Sequence, residues 1–223
     1  MAAYHLAIAA DDKLMANPAF IIAELTALFE WQGEAAYYGE PVTQAEHARQ
    51  CAHLAEQHGA DAETVIAAFL HDIGHLLPAN SADAYMDGYG RVDHERLGAD
   101  FLRQRGFPEK SAVLMENHVN AKRYLVYKHA DYAARLSEAS QQTLLHQGGP
   151  MTAPEAADFE RNPYFNGILQ LRRWDEQAKI PGLSVPDVAY YLARCRTFLL
   201  SRNHLDLDQD IATVNNRDNL RLG

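Results

Sequence analysis

Cysteine is scarce: only Cys51 and Cys195 occur in 223 residues. That excludes a disulfide framework and suits a reducing cytoplasm, with both thiols read as small apolar fillers on helices. Basic residues are in deficit as well, 20 Lys and Arg against 30 Asp and Glu, for a formal net charge of −10. Such a chain has no general affinity for nucleic-acid phosphates or anionic membranes, although a pocket within it can be locally positive. No apolar run approaches the roughly 20 residues of a membrane span. The start, Met1-Ala2-Ala3-Tyr4-His5, lacks the basic and apolar regions of a signal peptide. A soluble cytoplasmic protein is expected. No segment keeps the alternation of a strand, and neither a repeat nor a low-complexity tract is visible.

What is present is helical punctuation. Asn17-Pro18 reads as N-cap and first helical position, Gly33 as the stop, and Phe20, Ile21, Leu25, Leu28 and Phe29 form the apolar stripe between them. A second helix is expected from about Thr43 to His58, closed by Gly59. Asp61 caps a third, Glu63 to about Leu77, whose Val65–Leu70 run marks it as the most buried. Pro78 to Asp93 reads as loop, with Asn80, Ser81, Gly88 and Gly90. Further helices are expected near 94–105, 109–125, 132–147, 154–161, 163–179 and 186–201. The pattern is that of one all-α domain.

Polar residues recur beside core-facing positions. His71-Asp72 closes the apolar third helix, and His75, at i+4 from His71, is expected on the same face. Buried Asp and His are costly unless paired or bound to a cation. A His-Asp pair alone is better explained by capping or hydrogen bonding than by a metal. The others change the balance. His47 shares a stripe with Cys51 and Leu54, His94 lies on the side of Leu97 and Phe101, His118 follows Leu114 and Met115, and Asp175 shares a face with Ile168 and Leu171. Each alone is an ordinary core or cap residue. Together they offer the imidazoles and carboxylates suited to iron, manganese or zinc.

In the order His47, His71-Asp72, Asp175 the chain resembles the HD superfamily, an all-helical fold in which these four positions bind a metal. The added His94 and His118 match members that hold two. The resemblance implies one metal on His47, His71, Asp72 and Asp175, and a second on Asp72, His94 and His118.

Further segments narrow the likeness. They are Tyr37-Tyr38-Gly39-Glu40, Ile73-Gly74-His75, Gly88-Tyr89-Gly90, Asn117 to Leu125, Leu136 to Ser140, Gln147 to Met151, and Arg173 to Glu176. Over about residues 35 to 180 the chain looks like the mixed-valent di-iron oxygenases that cleave the C–P bond of 1-hydroxyphosphonates. That likeness implies two iron ions, Fe(II)/Fe(III), acting with O2 on a small 2-amino- or 2-trimethylammonio-1-hydroxyethylphosphonate to give phosphate plus glycine or glycine betaine. By the same resemblance Tyr37 gates the metal and Glu40 meets the substrate's amino end. His75, Lys122, Ser140 and Thr143 hold the phosphonate, and Arg172, Arg173 and Trp174 support Asp175.

Tyr38 departs from the aliphatic residue expected there. Residues 1–34 read as a helical extension packed on an HD domain of 35–223. The main rival is a metal-dependent phosphohydrolase acting on a nucleotide or phosphoester, because the same ligands can activate water. An inactive binding module and an oxygenase of another small hydroxy compound stand behind it.

Overall fold

The computed structural model describes residues 15–78, 86 and 90–202. Gly88 and Tyr89, with Asn80 and Ser81 of the expected loop, lie outside the described residues. Among those described, every regular element is helical, apart from isolated bridge positions, Ala36 paired with Thr43 and Arg91. No described helix is long and apolar enough to cross a membrane.

Local chemistry sets several helix starts. Helix α1 (Pro18–Gln32) begins with Asn17 Oδ1 accepting the Ala19 N–H at 2.9 Å and Pro18 in the first turn. Helix α2 (Gln44–Gln57) opens on a reciprocal Thr43–Glu46 capping box. Asp61 caps α3 (Ala62–Leu70), in which Thr64 through Leu70 are all buried. Then come α4 (His94–Gln104), α5 (Glu109–Glu116), α6 (His118–Lys128), α7 (Tyr132–Arg135), α8 (Glu138–His146), α9 (Ala153–Phe159), α10 (Phe165–Gln177) and α11 over residues 188–202.

Four helices stop or break where the sequence pattern would carry them on. Helix α3 ends at Leu70, not near Leu77; Asp72 leaves helical geometry (φ −106°, ψ 12°) and Ile73–His75 forms a 3-10 turn. The expected common helix face of His71 and His75 therefore does not exist. The turn brings Gly74 so close to the backbone of His94 that a Cβ there would lie 1.9 Å from the His94 carbonyl oxygen. The helix expected over 109–125 is two, interrupted at Asn117 (φ −104°, ψ 4°), whose side-chain amide donates to Val113 O at 3.0 Å. The one expected over 132–147 is also two. Leu136 is extended, and Ser137 Oγ accepts the Ser140 N–H to restart the helix as α8. Helix α10 stops at Gln177, two residues early.

The core is continuous across the described chain. Phe69 of α3 stacks on Phe29 of α1 at 4.9 Å and on Tyr191 of α11 at 5.2 Å, tying the first and last helices to the centre. Helix α1 buries Ile21, Leu25, Leu28 and Phe29. A largely buried ion pair, Arg105 to Glu24 at 2.6 Å, also holds it, with the guanidinium 3.4 Å above the Phe101 ring. Cys51 and Cys195 are both free and buried.

Candidate metal centre

Helices α2, α3, α4, α6 and α10 converge on one buried polar cluster. His47, His71, Asp72, His94, His118 and Asp175 are each no more than 7% exposed. His47 and His71 meet Nε2 to Nε2 at 3.1 Å, and His94 and His118 do the same at 3.1 Å. Asp72 lies between the pairs. Its Oδ2 is 3.3 Å from His71 Nε2 and 3.6 Å from His47 Nε2; its Oδ1 is 3.4 Å from both His94 and His118 Nε2. Asp175 Oδ1 joins the first pair, 3.4 Å from His47 Nε2.

The outer nitrogens decide the tautomers. Each Nδ1 faces a backbone carbonyl: His47 to Ala178 at 2.8 Å, His71 to Ala68 at 2.8 Å, His94 to Arg91 at 3.1 Å, His118 to Met115 at 2.6 Å. A ring that donates Nδ1–H keeps a lone pair on Nε2. Four lone pairs then point inward in two close pairs, joined by two carboxylates. Asp72 Oδ1 is buried with no hydrogen-bond partner among the described residues. Such a donor set asks for cations, and the six residues fit metal ions. The electrostatics show the same demand for positive charge, which protons on Nε2 meet when no metal is bound. Burial opposes charge on His71 and His94, yet the Asp72 carboxylate overcomes it and lifts both above the ordinary imidazole range. Burial likewise opposes ionisation of Asp72 and Asp175, but His71 beside the one and Arg172 beside the other hold them well below the carboxylate range.

His75 also lies against this cluster, its ring stacked on His94 at 3.9 Å. Its Nδ1 accepts the Arg91 N–H at 3.1 Å, and burial keeps the ring neutral, with its pKa well below the usual range. The proton therefore sits on Nε2, which makes His75 a donor and leaves His118 as the natural companion of His94.

A cavity of about 50 Å³ adjoins the cluster, lined among others by Tyr37, Glu40, His75, Lys122, Arg172 and Lys179. Tyr37 lies over the His47 ring, centroids 4.0 Å apart, and its hydroxyl donates to Asp72 Oδ2 at 2.8 Å. Lys122, 3% exposed, donates to Thr143 Oγ1 at 2.7 Å and sits 3.4 Å from Ser140 O. Burial lowers its pKa to about 7. Ser140 and Thr143 thus hold Lys122 in this structure. Glu40, expected to face a substrate cation, faces one from its own chain: Lys179 Nζ lies 2.5 Å from Glu40 Oε1.

Two features escaped the sequence reading. Lys179 follows the end of α10 and carried no motif. Arg172, expected to support Asp175, does donate from Nη1 to Asp175 Oδ2 at 2.5 Å, but its Nη2 is buried beside the cavity with no hydrogen-bond partner among the described residues. Its place three residues before Asp175, on the same helix face, was the available signal.

Comparison with known proteins agrees with this geometry. Residues 45–153 match the HD domain family. The chain is 44% identical over 164 residues to an uncharacterized protein of Acanthamoeba polyphaga mimivirus, covering 74% of this chain and 75% of that one. It is 41% identical over 175 residues (78% and 88% of the two lengths) to the (1-hydroxy-2-(trimethylamino)ethyl)phosphonate dioxygenase (glycine-betaine-forming) of Leisingera caerulea. With the hydroxymethylphosphonate dioxygenase of Gimesia maris it shares 43% identity over 179 residues, 80% and 88% of the two lengths. The all-helical fold, the His/Asp cluster and these relatives together place the chain in the HD-domain family, among its phosphonate dioxygenases.

Proposed function

We propose that the protein cleaves the C–P bond of a small 1-hydroxyphosphonate with O2, releasing phosphate and the carboxylic acid. Written with protons, R–CH(OH)–PO3H2 + O2 gives R–COOH + H3PO4, which balances without an external reductant. One observation carries the reading: a buried cluster of six metal-ligating residues opens, through His94, His118 and Asp175, onto the cavity that also holds the buried, anion-seeking cations Lys122 and Arg172.

In this reading His47, His71, Asp72 and Asp175 hold one iron ion and Asp72, His94 and His118 the other, as a mixed-valent Fe(II)/Fe(III) pair. When bound, the pair supplies the activation of O2 and a Lewis acid for the substrate oxygens. The protein does the rest. Lys122, His75 Nε2–H and the free Nη2 of Arg172 take the phosphonate oxygens, and Thr143 and Ser140 fix the Lys122 ammonium. Tyr37 lies over His47 and holds Asp72 through its hydroxyl, so arrival of the substrate must move it. That ties opening of the site to occupancy and limits futile oxygen chemistry. The site lies within the domain of 35–223; in the described part of the 1–34 extension, α1 serves by packing, since it contributes nothing to the cavity lining. A 2-amino or 2-trimethylammonio substrate would yield glycine or glycine betaine, but its cation has to compete with Lys179 for Glu40.

The test is phosphate release from 1-hydroxyphosphonates by iron-loaded protein, with and without O2. Release that requires O2, with one atom of labelled oxygen entering the carboxylate, is expected. Equal release without O2, or turnover of nucleotides and phosphoesters instead, would replace the oxygenase with a hydrolase.

A further inference from the structure

Glu40 is 8% exposed at its side chain, and its Oε1 is doubly engaged. Lys179 Nζ approaches its Oε1 at 2.5 Å, and the Ser137 hydroxyl donates to the same oxygen at 2.5 Å. The Lys179 ammonium also lies 5.8 Å from the centre of the Tyr37 ring and 3.5 Å from Ser137 Oγ. Carboxylate, ring and hydroxyl are the parts that would enclose an organic ammonium. Here an ammonium of the chain itself sits among them. The place is fixed by the backbone, because the carbonyl of the preceding Ala178 accepts Nδ1–H of His47. Lys179 is therefore anchored to the metal cluster through one peptide unit, and both its charge and that of Glu40 line the same cavity.

From this we infer that Lys179 is a specificity-determining residue, supplying the cation for Glu40 from within the protein and setting the site for 1-hydroxyphosphonates with an uncharged substituent on C1, hydrogen or small alkyl. The inference rests on the proposed reaction and refines its substrate. A cationic head gains the bonded Oε1 of Glu40 only by evicting Lys179, and whichever oxygen it meets, the Lys179 ammonium, 14% exposed, stays in the same cavity as a like charge. Exchange of one cation for another brings no net attraction, whereas a neutral substituent leaves the pair intact.

An isosteric pair isolates the charge: 1-hydroxypropylphosphonate and 2-amino-1-hydroxyethylphosphonate differ by a methyl in place of an ammonium. Their dissociation constants would be measured anaerobically on the iron-loaded protein, and kcat/KM would then be measured in air. The wild type should favour the propyl compound by about tenfold or more. Lys179→Met should move that ratio toward the ammonium compound by a similar factor, Lys179→Arg should preserve it, and Lys179→Met combined with Glu40→Gln should cancel the gain. A wild type that binds the ammonium compound better, or a ratio that Lys179→Met leaves alone while metal content and circular dichroism are unchanged, overturns the inference. The expected binding preference without O2-dependent phosphate release would sustain the head-group assignment and sink the proposed reaction. Failure of both compounds to bind overturns both.

Discussion

Gly74 and Gly98 invite the same substitution with opposite outcomes. A Cβ at Gly74 would lie 1.9 Å from the His94 carbonyl oxygen, 2.7 Å from its carbon and 2.9 Å from its Cα. An unstrained C···O approach is about 3.3 Å, so the start of α4 would have to retreat by roughly 1.4 Å. No side chain can rotate away to absorb this, because all three atoms are backbone. Overpacking costs about 1–3 kcal/mol and occasionally more, and a backbone clash belongs at or above the upper end, so Gly74→Ala should cost about 3 kcal/mol. At Gly98 the Cβ meets Met115 Sδ at 2.6 Å, a flexible atom, with Gly74 N at 3.3 Å. Repacking Met115 at about 1–2 kcal/mol is offset by the roughly 1 kcal/mol that Ala gains over Gly inside a helix, so Gly98→Ala should fall within about 1 kcal/mol of wild type. Urea unfolding of the metal-free proteins measures this without a contribution from metal binding. Because His94 moves with α4, Gly74→Ala should also retain less metal after iron reconstitution, while Gly98→Ala keeps the wild-type content. Equal stability of the two variants, or full metal content in Gly74→Ala, would refute the reasoning.

Three further outcomes follow from buried charge. With its pKa lowered to about 7 by burial, against 10.5 for an ordinary lysine, Lys122 binds fewer protons folded than unfolded between those values. Stability relative to Lys122→Met should therefore rise with pH through that window; a flat difference in unfolding free energy would count against it. Binding of a phosphonate near pH 8 should take up a proton in wild type and none in Lys122→Gln, read by calorimetry in two buffers of different ionisation enthalpy. Arg105→Met should destabilise the protein by about 2–3 kcal/mol by leaving Glu24 part-buried and unpaired, and adding Glu24→Met should recover most of that. A single variant as stable as the double would remove the pair from the account of how α1 is held.

The parts of the fold that are written locally were legible in the sequence. Asn17-Pro18, Thr43 with Glu46, and Asp61 each satisfy backbone N–H groups within a few residues, so their helix starts could be placed from adjacent positions. The candidate ligands were legible as polar residues on faces that otherwise bury. The interruptions after Leu70, at Asn117 and after Gln177 were not, because continued helical patterning masks them and their cause is tertiary. Lys179 was hidden for the same reason: its partner Glu40 is 139 positions away.

The hidden breaks and the visible ligands have a common origin. Inside a helix the carbonyls are taken by the backbone ladder, and an imidazole must compete for one. His71 and His118 each instead donate Nδ1–H to the residue three positions earlier, Ala68 and Met115, carbonyls in the last turns of α3 and α5. His94 does the same to Arg91, in the segment before α4. His47 reaches Ala178, just past the end of α10. Each ring thus takes its acceptor where a helix ends or has yet to begin. Without those endings Nδ1 would lose its acceptor, the tautomer would be free to change, and Nε2 would no longer be held as a lone pair facing its neighbour. A continuous helix through 62–77 or 109–125 would be better secondary structure and a poorer metal site. The departures from simple helical pattern are thus the means by which the cluster fixes its protons.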